Sequence, residues 1–260
     1  MVNGSTGRIG SRFRRVGTRL RSGDPFFFAG EEIIANLLAA LGYADAYVPE
    51  DEPLLAARAS AEDLGGCEPV RPAAGAVLRF LAASIGARTV VEIGTGCGSS
   101  GIWLLRGMRP DAVLTSVDVE TEYQRMARRA FAQAGFAANR YRLILGRALD
   151  VLPRLSDGAY DIVFCDADIR EYPDYLEAAL RLLRVGGIVA FDDVVVPPEL
   201  AGSPAADGGT ADWADGDTAD WAGPGAAQVK ELAEVMRGDD RLMPLFLPFG
   251  EGILVAVKRS

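Results

Sequence analysis

The apolar positions change period along the chain. Glu31 to Leu41 carries them at helical spacing up to Gly42, and Pro53 to Leu64 repeats that spacing up to Gly65-Gly66. Arg71 to Ile85 is a third helical stretch, with Pro72 near its first turn and Val77, Leu78, Leu81 and Ile85 on one stripe. Farther on, short apolar runs alternate with helical stretches. Strands are predicted at Thr89 to Ile93, Ala112 to Val117, Arg142 to Leu145, Tyr160 to Cys165 and Ile188 to Phe191. The helices between them are predicted at Ser99 to Gly107, Thr121 to Ala134, Ala148 to Leu155, and Pro173 to Arg184 before Gly186-Gly187. Nearly continuous apolar strands alternating with helices imply a parallel sheet covered on both faces. The end of the chain differs. Leu242 to Leu247 and Ile253 to Val257, joined by Pro248 to Gly252, read as a hairpin. One terminal strand should therefore run antiparallel. The expected class is α/β, a mostly parallel seven-stranded sheet with extra N-terminal helices.

Two segments stand apart from this pattern. Pro197 to Gly225 is rich in Ala, Gly, Asp and Pro and repeats TADWADGD from Thr210 as TADWAGPG from Thr218. Two units cannot build a solenoid. The segment reads as an expanded surface loop, and its start just after a strand end leaves Trp213 and Trp221 open as lid residues. Near the N-terminus, Arg8, Arg12, Arg14, Arg15, Arg19 and Arg21 occur with no acid among residues 8–21. Phe26 to Phe28 is too short for a signal-peptide core, so residues 1–28 read as a basic, disordered tail. The expected organisation is one domain over residues 29–260. Within it lie N-terminal helices (29–86), a ligand-binding core (87–196), the low-complexity acidic Trp-repeat loop (197–225) and a C-terminal helix and hairpin (226–260).

Composition then narrows the chemistry. The 260 residues include no histidine, and the lysines are Lys230 and Lys258. That excludes Ser-His-Asp and Cys-His catalysis, His-ligated zinc and a histidine proton shuttle. Proton transfer must use carboxylates, Tyr, Cys, water or a bound metal. The net charge of −9 argues against a nucleic-acid partner, and no run approaches a membrane span. Cys67, Cys97 and Cys165 have no metal-type spacing and read as reduced and cytoplasmic.

The most informative stretch is Val90-Val91-Glu92-Ile93-Gly94-Thr95-Gly96-Cys97-Gly98-Ser99-Ser100. A strand feeds a glycine turn that opens a helix, so backbone can approach a ligand closely with N–H groups facing it. Asp118 ends the next strand, 24 residues after Gly94, where a carboxylate can accept ribose hydroxyls. Gly96 to Gly101 matches the dinucleotide fingerprint G-x-G-x-x-G, which keeps an NAD-dependent oxidoreductase as an alternative. The register disfavours it, because the strand ends at Ile93 and the loop begins at Gly94. Glu92 beside the loop gains nothing from a pyrophosphate but suits the amino group and sulfonium of S-adenosylmethionine (SAM). Glu92 could also simply hold the loop, and the two roles are compatible.

The segments VVEIGTGCGSSGIWLL, LTSVDVE, RLILGRALDVLPRL, YDIVFCDAD and LLRVGGIVAFDDVV, in that order, resemble the SAM-dependent O-methyltransferases of the catechol and caffeoyl-CoA type. The resemblance runs from about Val70 to Phe191, and the final hairpin matches the family's last strands. It implies a Rossmann-like fold, methyl transfer to a hydroxyl of a small aromatic acceptor, and a homodimer. By the same resemblance, Glu92, Gly94, Thr95 and Gly96 form the floor under the methionine part of SAM, and Ser100 binds its carboxylate. Val70 borders the pocket. Asp118 holds the ribose with Val119 beside the adenine, and Arg147 and Ala148 meet the adenine. Asp166, the candidate catalytic residue, closes the site near the sulfonium. Trp103 reads as core.

Metal-dependent members of the family bind Mg²⁺ or a similar divalent cation through one Asp after the fourth strand and an Asp-Asn pair after the fifth. The matching residues are Asp166, Asp192 and Asp193, so Asn is replaced by a third carboxylate. A hard cation there would bind the acceptor hydroxyls and lower their pKa. The family's basic lysine, three residues after the first ligand, is replaced by Ile169. That loss leaves a non-catalytic SAM-binding protein as a further alternative.

Overall fold

The computed structural model describes residue 36, residues 39–194 and residues 226–260. It divides into residues 1–42 and residues 43–260. The expected basic tail and the Trp-repeat loop fall outside the described residues. Residues 39–47 are helical, so Gly42 does not end the first predicted helix. A lone glycine inside a helix costs about 1 kcal/mol, too little to stop one by itself.

After residue 47 the second unit continues with α1 (Glu52–Leu64) and α2 (Pro72–Ser84), followed by β1 (Thr89–Ile93) and α3 (Ser99–Gly107). Next come β2 (Val113–Asp118), α4 (Thr121–Gln133), β3 (Tyr141–Leu145) and the short α5 (Ala148–Val151). β4 (Tyr160–Cys165), α6 (Tyr172–Leu182) and β5 (Leu183–Phe191) complete the middle, and α7 (Ala226–Gly238), β6 (Leu242–Leu247) and β7 (Ile253–Lys258) the end. The sheet has seven strands in the order β3-β2-β1-β4-β5-β7-β6. β7 runs antiparallel to both its neighbours, as the hairpin pattern predicts.

Strand alternation builds two cores. Val90, Ile162, Phe164, Ile188 and Ala190 join one cluster with α2, α3 and α4. Val91, Ile93, Val163, Cys165, Val189 and Phe191 join the other with α6 and α7. Trp103 is buried in the first, as its core reading requires. A Cβ on Gly75 would lie 2.2 Å from Trp103 Nε1, so α2 and α3 meet through a glycine.

Two boundaries differ from the pattern. α6 ends at Leu182, and β5 already starts at Leu183 and contains Gly186-Gly187, which the sequence suggests as a helix stop. The pairing shifts between Tyr160↔Leu183 and Ile162↔Ile188, so the glycines accommodate an irregularity inside a strand. The predicted helix Ala148 to Leu155 divides into α5 and a 3₁₀ turn at Leu152–Arg154. Pro153, which has no N–H to continue the α ladder, lies in that turn.

Candidate active site

β1 has β2 on one side and β4 on the other. The chain builds β2 and β3 outward, then crosses back to β4, which leaves a crevice at the C-terminal ends of the central strands. Asp166 N–H donates to Ile93 O at 2.8 Å, and Gly94 N–H donates to Val117 O at 2.9 Å. The glycine loop is thus tied to both neighbouring strand ends. Gly94 has φ +96°, and a Cβ there would lie 1.8 Å from Asp166 O. Only glycine fits that crossing.

Asp118, at the end of β2, organises the loop. Its Oδ2 accepts the N–H groups of Thr95 (2.8 Å) and Gly96 (3.0 Å), and its Oδ1 accepts Glu120 N–H at 2.9 Å. Thr95 Oγ1 lies 2.7 Å from Ser116 Oγ. Glu92 is fully buried beneath this loop. Its carboxylate accepts Ser100 Oγ–H at 2.7 Å and Ser116 Oγ–H at 2.5 Å. Burial pushes its pKa up to about 7 against the lowering effect of the two serines, and Asp118 adds to the rise.

The loop forms one wall of a cavity of about 800 Å³, within the size range of small-molecule sites. Gly94, Thr95, Gly96 and Ser100 line it along the loop, and Val70 borders it from the segment before α2. Asp118 and Val119 line it after β2, Arg147 and Ala148 after β3, and Asp166 after β4. Asp193 also reaches it. Glu92 and Asp192 do not line it. Glu92, expected in the floor under a ligand, lies beneath the glycine loop in this structure. Alternation along β1 puts its side chain on the α3 side, where it holds Ser100 and the loop.

The lining residues that the sequence reading does not assign to the site include Cys67, Tyr123, Glu171 and Tyr175. Glu171 and Tyr175 are four residues apart, and Tyr175 O–H donates to Glu171 Oε2 at 2.6 Å. Arg147 pairs with the same carboxylate at 3.0 Å. The i,i+4 spacing was the available signal for that pair. Cys67 and Tyr123 carry no local signal, because long-range folding brings them to the loop.

The acids after β4 and β5 repel one another. Asp166 is raised well above the usual carboxylate range by burial, with Asp192 and Asp193 adding to it. Asp192 is raised to about 7 by burial and by Asp193. Its Oδ1 is buried and has no hydrogen-bond partner among the described residues. Three carboxylates and an orphaned oxygen suit a hard cation held through one or two acids, water and acceptor oxygens. Among the described residues, no three acid, Cys or His side chains gather into an ion cage. The fit is to an open, partly protein-ligated site only. Neither lysine lines the cavity. Lys258 Nζ instead donates to the carbonyls of Leu180 and Leu183 at 2.8 and 2.9 Å.

Comparison with known proteins agrees with this geometry. The O-methyltransferase family matches residues 58–259. A Mycobacterium tuberculosis protein named as an O-methyltransferase is 44% identical over 216 residues, covering 83% of this chain and 89% of its own. A similarly named Mycobacterium avium protein is 43% identical, covering 88% and 96%. Among solved structures, the Streptomyces achromogenes O-methyltransferase TomG, involved in tomaymycin synthesis and bound to SAM, superposes with a TM-score of 0.66 at 29% identity, covering 82% of this chain and 92% of its own. A Bacillus cereus O-methyltransferase in complex with S-adenosylhomocysteine (SAH) gives 0.66 at 26% identity, covering 84% and 95%. The strand order, the glycine loop pinned by Asp118 and these matches together make the chain a member of the O-methyltransferase family.

Proposed function

We propose that this chain binds SAM in the crevice cavity and transfers its methyl group to a hydroxyl oxygen of a small aromatic acceptor. The observation that carries this reading is the glycine loop, held open over the cavity by Asp118 and Glu92. In this assignment Gly94, Thr95, Gly96, Ser100 and Val70 surround the methionine part. Asp118 keeps lone pairs free for the ribose hydroxyls while holding the loop. Val119, Arg147 and Ala148 border the adenine. SAM supplies a methyl group on a positively charged sulfur, which leaves as a neutral thioether. The chain's own task is alignment of the acceptor oxygen opposite that carbon. Asp166 would accept a hydrogen bond from the acceptor hydroxyl, and Tyr175 offers an aromatic face in the same cavity.

A divalent cation belongs to this proposal as a second component. One or two of Asp166, Asp192 and Asp193 would hold it, with water and acceptor oxygens completing its shell, and the orphaned Asp192 oxygen is what supports it. Two copies pairing through an apolar groove, and residence in the cytoplasm, also belong to it. The groove is lined by Tyr43, Tyr47, Val77 and Phe80. Tyr43, Tyr47 and Phe80 are 67%, 70% and 70% exposed. No described helix is long and apolar enough to cross a membrane.

The test is methylation of a panel of catechols and phenols with methyl-labelled SAM, with Mg²⁺ and with EDTA. Labelled ether products are expected. SAM binding without product on any acceptor would favour the non-catalytic alternative. Activity that is unchanged by EDTA would remove the cation from the proposal.

A further inference from the structure

We infer that Arg58, outside the cavity, is a positioning residue for SAM: it latches the cavity wall formed by residues 66–70 and so slows departure of the cofactor. The inference rests on the cavity being the SAM site. Gly66, Cys67, Glu68, Pro69 and Val70 all line it, and Arg58 does not. These residues connect α1 to α2. α1 is tied at its start to α3, the helix that the glycine loop opens, by Arg106 donating to Asp51 Oδ2 at 2.6 Å. α2 is tied at its start by Asp45, whose Oδ1 accepts Ala73 N–H at 3.0 Å. The chain between them has little to hold it. Among the described residues, the hydrogen bonds to its main chain come from Arg58. Nη2 donates to Val70 O at 2.9 Å, and Nη1 to Pro69 O at a longer 3.4 Å.

Arg58 is itself held by Glu50, which precedes α1. Nε donates to Glu50 Oε2 at 2.9 Å and Nη2 to Oε1 at 2.8 Å. This bidentate fork fixes the guanidinium plane and aims its remaining N–H groups at the wall. The Glu50 side chain is 6% exposed and that of Arg58 24%, so water competes little for these bonds. At the other end of the wall the chain turns through Gly65 and Gly66, with φ of +68° and +74°. A Cβ on Gly65 would meet nothing within 4 Å, so packing does not restrain that turn. Consecutive glycines also restrain the backbone least. The wall is therefore a short strap, free at the glycine pair and fixed at Arg58. Val70, beside the methionine part of SAM in the assignment above, sits at the fixed end. Released from Arg58, the strap can bow outward from the glycine pair and open the cavity along the methionine part. The glycine loop and Asp118 stay in place, so the cofactor still enters normally but leaves faster.

The test uses the full chain. Arg58→Met keeps the side-chain stem and removes its donors. Arg58→Lys keeps the charge opposite Glu50 but has no fork to serve both partners. Hydrogen exchange of the ligand-free protein should be faster in Arg58→Met across residues 65–71, with the strands and α3 unchanged. Stopped-flow displacement of bound SAH should show dissociation about tenfold faster in Arg58→Met and a smaller rise in Arg58→Lys, with association little changed. Thermal unfolding run in parallel separates this from a purely structural role, in which stability falls while dissociation keeps the wild-type rate. That result would overturn the inference, as would faster exchange spread over the whole domain. If Arg58→Met does not fold, Arg58→Lys carries the same two readings. Wild-type protein that binds neither SAM nor SAH would instead refute the cofactor assignment, while exchange at residues 65–71 would still show whether Arg58 holds the wall.

Discussion

At the scale of single residues, the site depends on two carboxylates with different surroundings. Asp118 meets the loop's N–H groups at the cavity edge, whereas Glu92 is sealed beneath it. Burial raises Glu92 from 4.5 to about 7, so the fold favours its neutral form. No cost exists below pH 4.5, where the acid is neutral both folded and unfolded. Between pH 4.5 and about 7 the unfolded chain ionises while the folded one stays neutral, so stability falls across that window and levels off above it at a cost of roughly 3 kcal/mol. Glu92→Gln should therefore flatten the stability–pH curve of the ligand-free protein between about pH 5 and 8. Urea unfolding across that range checks it, and an unchanged slope would contradict the assignment. The identities of Gly94, Asp118 and Glu92 were legible because strand, turn and acid follow one another locally. The depth of Glu92 was not. Period-two alternation says which face a side chain takes, but not whether a loop and two serines seal it from the cavity.

At the scale of elements, strand ends are held by side chains as well as by ladders. Asp161 on β4 accepts the N–H groups of Arg88 (2.7 Å) and Thr89 (2.9 Å) and the Arg184 guanidinium at 2.6 Å. It thereby joins the start of β1 to the irregular part of β5. Burial would raise its pKa, but these donors outweigh it and leave it lowered. Asp161→Ala removes the acceptor for two backbone donors and should destabilise the fold by roughly 2–4 kcal/mol. Chemical unfolding measures that, and a loss below about 0.5 kcal/mol would show the contact to be incidental. β1 and β4 were readable to the residue, since both are buried β-branched or aromatic runs. Gly42, Gly186 and Gly187 misled as helix stops. A glycine permits a turn without requiring one, and the tertiary pairing of β5 with β4 decided the matter.

At the scale of the whole molecule, the reversal of strand order at β1 creates the crevice, and the helices on both faces leave its strand ends open. This much followed from the alternation of strands and helices plus the family resemblance. The cavity's far wall, from Cys67, Tyr123 and Tyr175, did not, because it is assembled across distant parts of the chain. The exposed aromatics around the groove at Phe80 predict a dimer by light scattering. Phe80→Asp combined with Tyr47→Asp should shift it to a monomer with the far-ultraviolet spectrum retained. A monomeric wild type would remove pairing from the account.

The central claim is that the glycine loop and Asp118 form a SAM site. Calorimetric titration of the reduced full chain with SAM and, separately, with NAD tests it most directly. The account predicts one SAM bound per chain, no NAD binding, and SAM affinity weakened by roughly 1–3 kcal/mol in Asp118→Ala. Binding of NAD without SAM, or SAM affinity indifferent to Asp118, would contradict it.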